Sequence, residues 1–256
     1  MRRTAPFALL LALLAPVAHG EQPAASATPA ASLPAASDAG TPHSSLGPAL
    51  RAIERGHYAT AARALRRPAK QGDPLAQSNL GYLYEHGLGV VRSDTDALSW
   101  YARAAESGLP VAQYNLATMY LRGKGIPPDP KAAAKWFSTA AGAGHAGAEY
   151  MTGECYRSGT GVPRDGAVAL SWYLKAARQG HAGAQLMAAA VYHSGEGWRR
   201  EPLKAMAWAE VARLNGEMQA PELLQKIEAG LKTAQKAEAM RQAQVCFRSG
   251  YRECPE

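Results

Sequence analysis

A period of 36 residues runs from Asp73 to Gly216 without an insertion or deletion. Ala76, Ala112, Ala148 and Ala184 fall in one column, and Tyr84, Tyr120, Tyr156 and Tyr192 in another. Two glycine columns follow: Gly87, Gly123, Gly159 and Gly195, then Gly89, Gly125, Gly161 and Gly197. Trp100, Trp136, Trp172 and Trp208 repeat in the same register, as do Gly108, Gly144, Gly180 and Gly216. A unit of this length is one supersecondary piece. It buries its apolar face only against its neighbours, so the chain must stack.

Each unit reads as two helices. In the first, helix A carries Ala76, Leu80, Leu83 and Tyr84 at i, i+4, i+7 and i+8, one helical face. Gly87 stands where a helix-ending residue takes a left-handed conformation. Helix B carries Ala97, Trp100, Tyr101, Ala104 and Ala105, and Gly108 ends it. Asp94, Asp129 and Asp165 lie just before or within the first turn of helix B, where a carboxylate favours the helix dipole. The tryptophan column is expected to be core, with Trp and Tyr of each unit packed against alanine columns of the next.

The pattern A-x3-L-G-x2-Y-x2-G-x-G-V, then A-x2-W-Y-x2-A-A-x2-G, runs from Ala76 to Gly108 and recurs three times. It resembles the Sel-one-like repeat family, a relative of the tetratricopeptide repeats. The resemblance implies an all-α, right-handed solenoid of four 36-residue helix-turn-helix repeats over residues 73–216, and an adaptor that binds other proteins. Residues 46–72 read as a truncated unit capping one end, with a helix from Tyr58 to Lys70. Residues 217–256 read as C-terminal capping helices. One starts near Pro221 and bears Leu223, Leu224 and Ile227; a second runs from Thr233 to about Val245.

The N-terminal end reads differently. Arg2 and Arg3 precede an apolar run from Phe7 to Val17, and Ala18-His19-Gly20 is a small-x-small site. Residues 1–20 are therefore expected to be a cleavable signal peptide, and the protein periplasmic or secreted. Residues 21–45, almost all Ala, Pro, Ser, Thr and Gly, are expected to be a disordered linker. No apolar run reaches the roughly 18–20 residues of a membrane-spanning helix.

The search for chemistry is short. No P-loop, H-E-x-x-H or G-x-S-x-G motif occurs, and the seven histidines lack metal-site spacing. No catalytic residue, metal or cofactor is expected. His145 and His181 are equivalent positions after a unit-ending glycine, which points to a turn role. Cys155 shares a column with Leu83, Met119 and Val191, and is expected to be a buried thiol. Cys246 and Cys254 are expected to form one disulfide that pins the tail. Some cysteine-rich relatives of the resembled family are described as β-lactam hydrolases. They carry a Cys pair within each repeat, and this chain does not.

The net charge of +7 is unevenly placed. Arg51, Arg55, Arg63, Arg66, Arg67 and Lys70 face only Glu54 in the N-terminal cap, a place for an anionic envelope polymer. Nucleic acid is not expected, because no recognition motif is present.

Internal comparison locates a groove. Opposite the apolar side of helix A lie columns that change from unit to unit: Ser78, Tyr114, Tyr150, Leu186; Tyr82, Thr118, Glu154, Ala190; Glu85, Leu121, Arg157, His193. The resemblance implies that helix A lines a concave surface, so these columns would pave it. Asn79, Tyr82, Tyr114, Asn115, Arg122, Tyr150 and Arg157 are the expected partner-binding residues, since Tyr and Arg dominate interface energetics. The reading is a non-enzymatic adaptor for a protein or peptide. The alternatives are a regulator docking on a peptidoglycan enzyme and a hydrolase of β-lactams or cell-wall material.

Overall fold

The computed structural model describes residues 46–255. The expected signal peptide and linker lie outside the described residues. All regular structure among these residues is helical. Ten helices form five pairs: α1 (Gly47–Glu54) with α2 (Tyr58–Lys70), α3 (Pro74–His86) with α4 (Asp94–Glu106), α5 (Pro110–Arg122) with α6 (Pro130–Gly142), α7 (Ala146–Ser158) with α8 (Gly166–Arg178), and α9 (Ala182–Ser194) with α10 (Pro202–Leu214). Two more, α11 (Ala220–Glu228) and α12 (Thr233–Arg248), close the C-terminal end. Each pair packs on the next, which makes the solenoid.

The boundaries have local causes. Each helix A of the four units ends on a glycine in the left-handed region, Gly87, Gly123, Gly159 and Gly195. Helix B starts under a side-chain cap in three units. Ser93 Oγ accepts the Asp96 N–H at 3.1 Å, Asp129 Oδ1 that of Ala132 at 3.0 Å, and Asp165 Oδ1 those of Ala167 and Val168 at 3.0 Å. In the first unit the cap is Ser93, and Asp94 is the first helical residue.

The second glycine column sets the distance between units. A Cβ on Gly89 would overlap the backbone at Tyr58 and Ala59, and one on Gly125 the backbone at Asp94. Gly161 stands in the same way against Pro130, and Gly197 against Gly166. In every case the loop of one unit rests on the first residue of helix B in the unit before. Only a residue without a side chain permits that approach.

The aromatic core differs from the sequence expectation. On helix B of the first three units the completely buried rings are Tyr101, Phe137 and Tyr173, one per helix. Trp100, Trp136 and Trp172 are half-buried. Arg103 lies over the Trp100 ring at 4.8 Å and Lys175 over that of Trp172 at 3.9 Å. Trp208 alone of the column is fully buried. The reason is α12, which lies along α10 and not along α11. It covers the side of helix B that is open in the other units. The Cys246–Cys254 disulfide then turns the tail back, and Trp208 Nε1 donates to the Pro255 carbonyl at 3.1 Å.

Candidate functional site

Helix A carries the variable side chains on an invariant frame. α3, α5 and α7 hold the seven expected residues, which spread along three successive units and do not converge on one point. Tyr82 and Arg122 are exposed; Asn79, Tyr114, Asn115, Tyr150 and Arg157 are half-buried. Ser78, expected on the open side, is 6% exposed.

Several of these residues already have partners. Asn79 Nδ2 donates to the Leu75 carbonyl one turn back at 2.8 Å, so its amide is held within its own helix. The Tyr82 ring lies tilted against His86 with centroids 4.2 Å apart. Tyr114 stacks on His145 at 5.0 Å, and Tyr150 on His181 at 4.8 Å. Burial pushes the Tyr150 hydroxyl up to about 12. Arg157 donates to both oxygens of Glu154, Nη2 at 2.7 Å and Nε at 3.2 Å. Tyr173 OH, from helix B beneath, donates to the same carboxylate at 2.5 Å.

A related arrangement occurs in the first unit, where Glu85 accepts from Tyr101 OH at 3.1 Å and from Lys124 Nζ at 2.8 Å. In the second unit helix B carries Phe137, which has no hydroxyl, and helix A offers Thr118 and Leu121 in the two equivalent columns. Burial raises the hydroxyl pKa of both Tyr101 and Tyr173, with the adjacent carboxylates adding to it. These phenols are therefore fixed donors. The Arg157 guanidinium is held charged chiefly by its bond to Glu154. A cleft of about 310 Å³ opens beside it, lined by Arg164, Val191 and Glu196 among others.

Sequence reasoning missed a buried polar column. Gln77, Gln113 and Gln185 each send Nε2 to the carbonyl eight residues back, on Ala69, Ala105 and Ala177, at 3.0–3.2 Å. The third unit has Glu149 instead, and Gln179 Nε2 donates to it at 2.8 Å. The signal was present as a nearly uniform column next to the alanine column. The His145 and His181 turn role is observed: each Nδ1 accepts the N–H three residues on, from Ala148 and Ala184, at 3.1 Å. Cys155 is buried and unpaired, and burial pushes its thiol up to about 11. No cluster of His, Cys, Asp and Glu able to hold a metal ion occurs among the described residues.

The model of one protein family, the Sel1 repeat, matches residues 74–109, 110–145, 146–181 and 182–217. Among solved structures the chain resembles a protective antigen of uropathogenic Escherichia coli that displays an SLR fold. The identity is 30% and the TM-score 0.71, over 78% of this chain and 45% of that one. The chain thus spans less than half the length of that antigen. It also resembles a Sel1 repeat protein from Oxalobacter formigenes, at 28% identity and TM-score 0.68, over 78% of this chain and 84% of that one. No curated protein matches the chain significantly in sequence.

Proposed function

The chain belongs to the Sel1 repeat family, and we propose that it is an exported scaffold whose helix A face holds a protein or peptide segment. Sel1 repeats generally mediate protein–protein interaction. One observation supports placing the partner on helix A. The frame repeats strictly, while the columns that begin at Tyr82 and Glu85 carry a different residue in every unit, and the column of His86, Arg122, Ser158 and Ser194 carries three residue types. A surface that served only to solubilise the protein needs no such succession of aromatic, carboxylate and guanidinium groups. Tyr82 and Arg122 are the exposed anchors. Tyr114, Tyr150 and Arg157, half-buried, are ordered by stacking and ion pairing, which lowers the entropy lost on binding. The signal-like leader supports an extracytoplasmic partner.

A photo-crosslinking residue placed at position 82 or 122 should trap one discrete partner from an envelope extract. The same probe at Ser99 or Ser171, on exposed positions of helix B, should not. Trapping from the helix B positions alone would overturn the assignment of the face.

A further inference from the structure

The outward side of the B helices is a second surface, built independently of the first. On α2, residues Arg63, Arg66, Arg67 and Lys70 lie within a 100° arc, opposite the buried Ala61, Leu65 and Ala69. The stripe is about 10 Å long at 1.5 Å per residue. Adding 36 residues carries it onto α4, α6 and α8. In the columns that start at Arg63, Arg67 and Lys70 every residue is exposed. Arg103, Lys135 and Lys175 continue the positive charge there, and Glu106 is the one carboxylate in these columns.

Ion pairing is uneven over the described residues, and Arg51, Arg55 and Arg122, off these columns, also form no ion pair. Lys124 and Arg157 on the opposite side are tied to Glu85 and Glu154, and Arg213, Lys226 and Arg241 are tied to acids three or four residues away. Among the described residues Arg63, Arg66, Arg67, Lys70, Lys135 and Lys175 form no ion pair. These cations stand on α2, α4, α6 and α8, with helix A of the next unit packed between successive B helices, and give a positive band that crosses four B helices.

We infer that this band binds a linear acidic polysaccharide lying across the B helices. A flexible chain with a carboxylate on each sugar can meet successive rows. A bilayer is a poorer fit, because the exposed large apolar residues, Tyr82, Val91, Trp198, Met218, Val245 and Phe247, all lie off these columns. Nothing on the band would enter the headgroup region. Nucleic acid fits less well too. The band has no exposed ring to stack a base, and Trp100 and Trp172 carry their own cations. The chain would then hold a protein on one side and an envelope polymer on the other.

The test uses the full chain with polygalacturonate as probe and neutral dextran as control, by affinity electrophoresis at several salt concentrations. Binding to polygalacturonate alone, weakening steeply with salt, is expected. Arg63→Glu with Arg67→Glu, and separately Lys135→Glu with Lys175→Glu, should each weaken it at least tenfold with helicity unchanged. Lys226→Glu, at the far end, should change it less than twofold. Three results would overturn the inference. They are no binding at low salt, loss with the α2 pair only, and tighter binding to duplex DNA or to vesicles of anionic phospholipid. A failed crosslinking experiment on helix A would leave this one intact.

Discussion

His145 and His181 cap their helices with Nδ1 as acceptor, which only an imidazole unprotonated at that atom can do. Burial lowers both pKa values from 6.5; for His181, Glu217 acts in the opposite sense. A folded pKa below the unfolded one means that the stabilisation is present above about pH 6.5 and is lost as pH falls through the folded value. The melting temperature should therefore drop on acidification below about 6.5. His145→Asn with His181→Asn should flatten that dependence while keeping both caps, and a slope unchanged in the double variant would refute the assignment. Glu149 is the converse case, because burial raises its carboxyl pKa. Its stabilisation is present below about 4.5 and lost as pH rises through the folded value. Glu149→Gln restores the amide donor of the other three units, toward the Ala141 carbonyl. It should raise stability by about 1 kcal/mol at neutral pH, and by less at pH 4, in urea titrations.

At the scale of elements, the helix pair was legible and its packing only partly so. The start and stop residues could be read directly, because caps and left-handed glycines act over three or four residues. The tryptophan column could not be placed by period alone. A ring on helix B packs toward the preceding unit, not the next as expected, and its burial depends on whether a further helix covers it, as α12 does for Trp208 and none among the described residues does for Trp100. The candidate site was legible as a face and not as a set of free side chains. Column variation showed which positions differ, but not that Asn79 bonds within its helix or that Glu154 already holds Arg157. The glycine contacts give a sharp test. Gly161→Ala places a Cβ into the Pro130 backbone at φ +74° and should cost about 2–3 kcal/mol. Gly144→Ala, at φ +82° with open space around it, should cost only about 1 kcal/mol. Equal melting temperatures for the two variants would show that the inter-unit contact carries no weight.

Across the whole molecule the two ends are unlike. The N-terminal pair is short and basic on its outer side. The C-terminal end is sealed by α12, the disulfide and the bond from Trp208 to Pro255. In a solenoid stabilised by nearest neighbours, an end that loosens exposes the next unit. Cys254→Ser should cost about 2–3 kcal/mol, as expected for closing a short loop. It should also shift tryptophan emission to the red, since Trp208 is the one of the column fully sealed. Lower stability without the spectral change would place the effect in the unfolded chain alone.

The rest of the loop glycine on the previous helix B has a further consequence. Gly89, Gly125, Gly161 and Gly197 each reach back 31 residues, to Tyr58, Asp94, Pro130 and Gly166. The joint between units is thus written across a boundary, half in one copy and half in the next. A gene that gains or loses a whole 36-residue cassette regenerates every joint intact, whereas one extra residue within that span would put a joint out of phase. Such a chain can change its length, and with it the span of its two faces, only in whole steps.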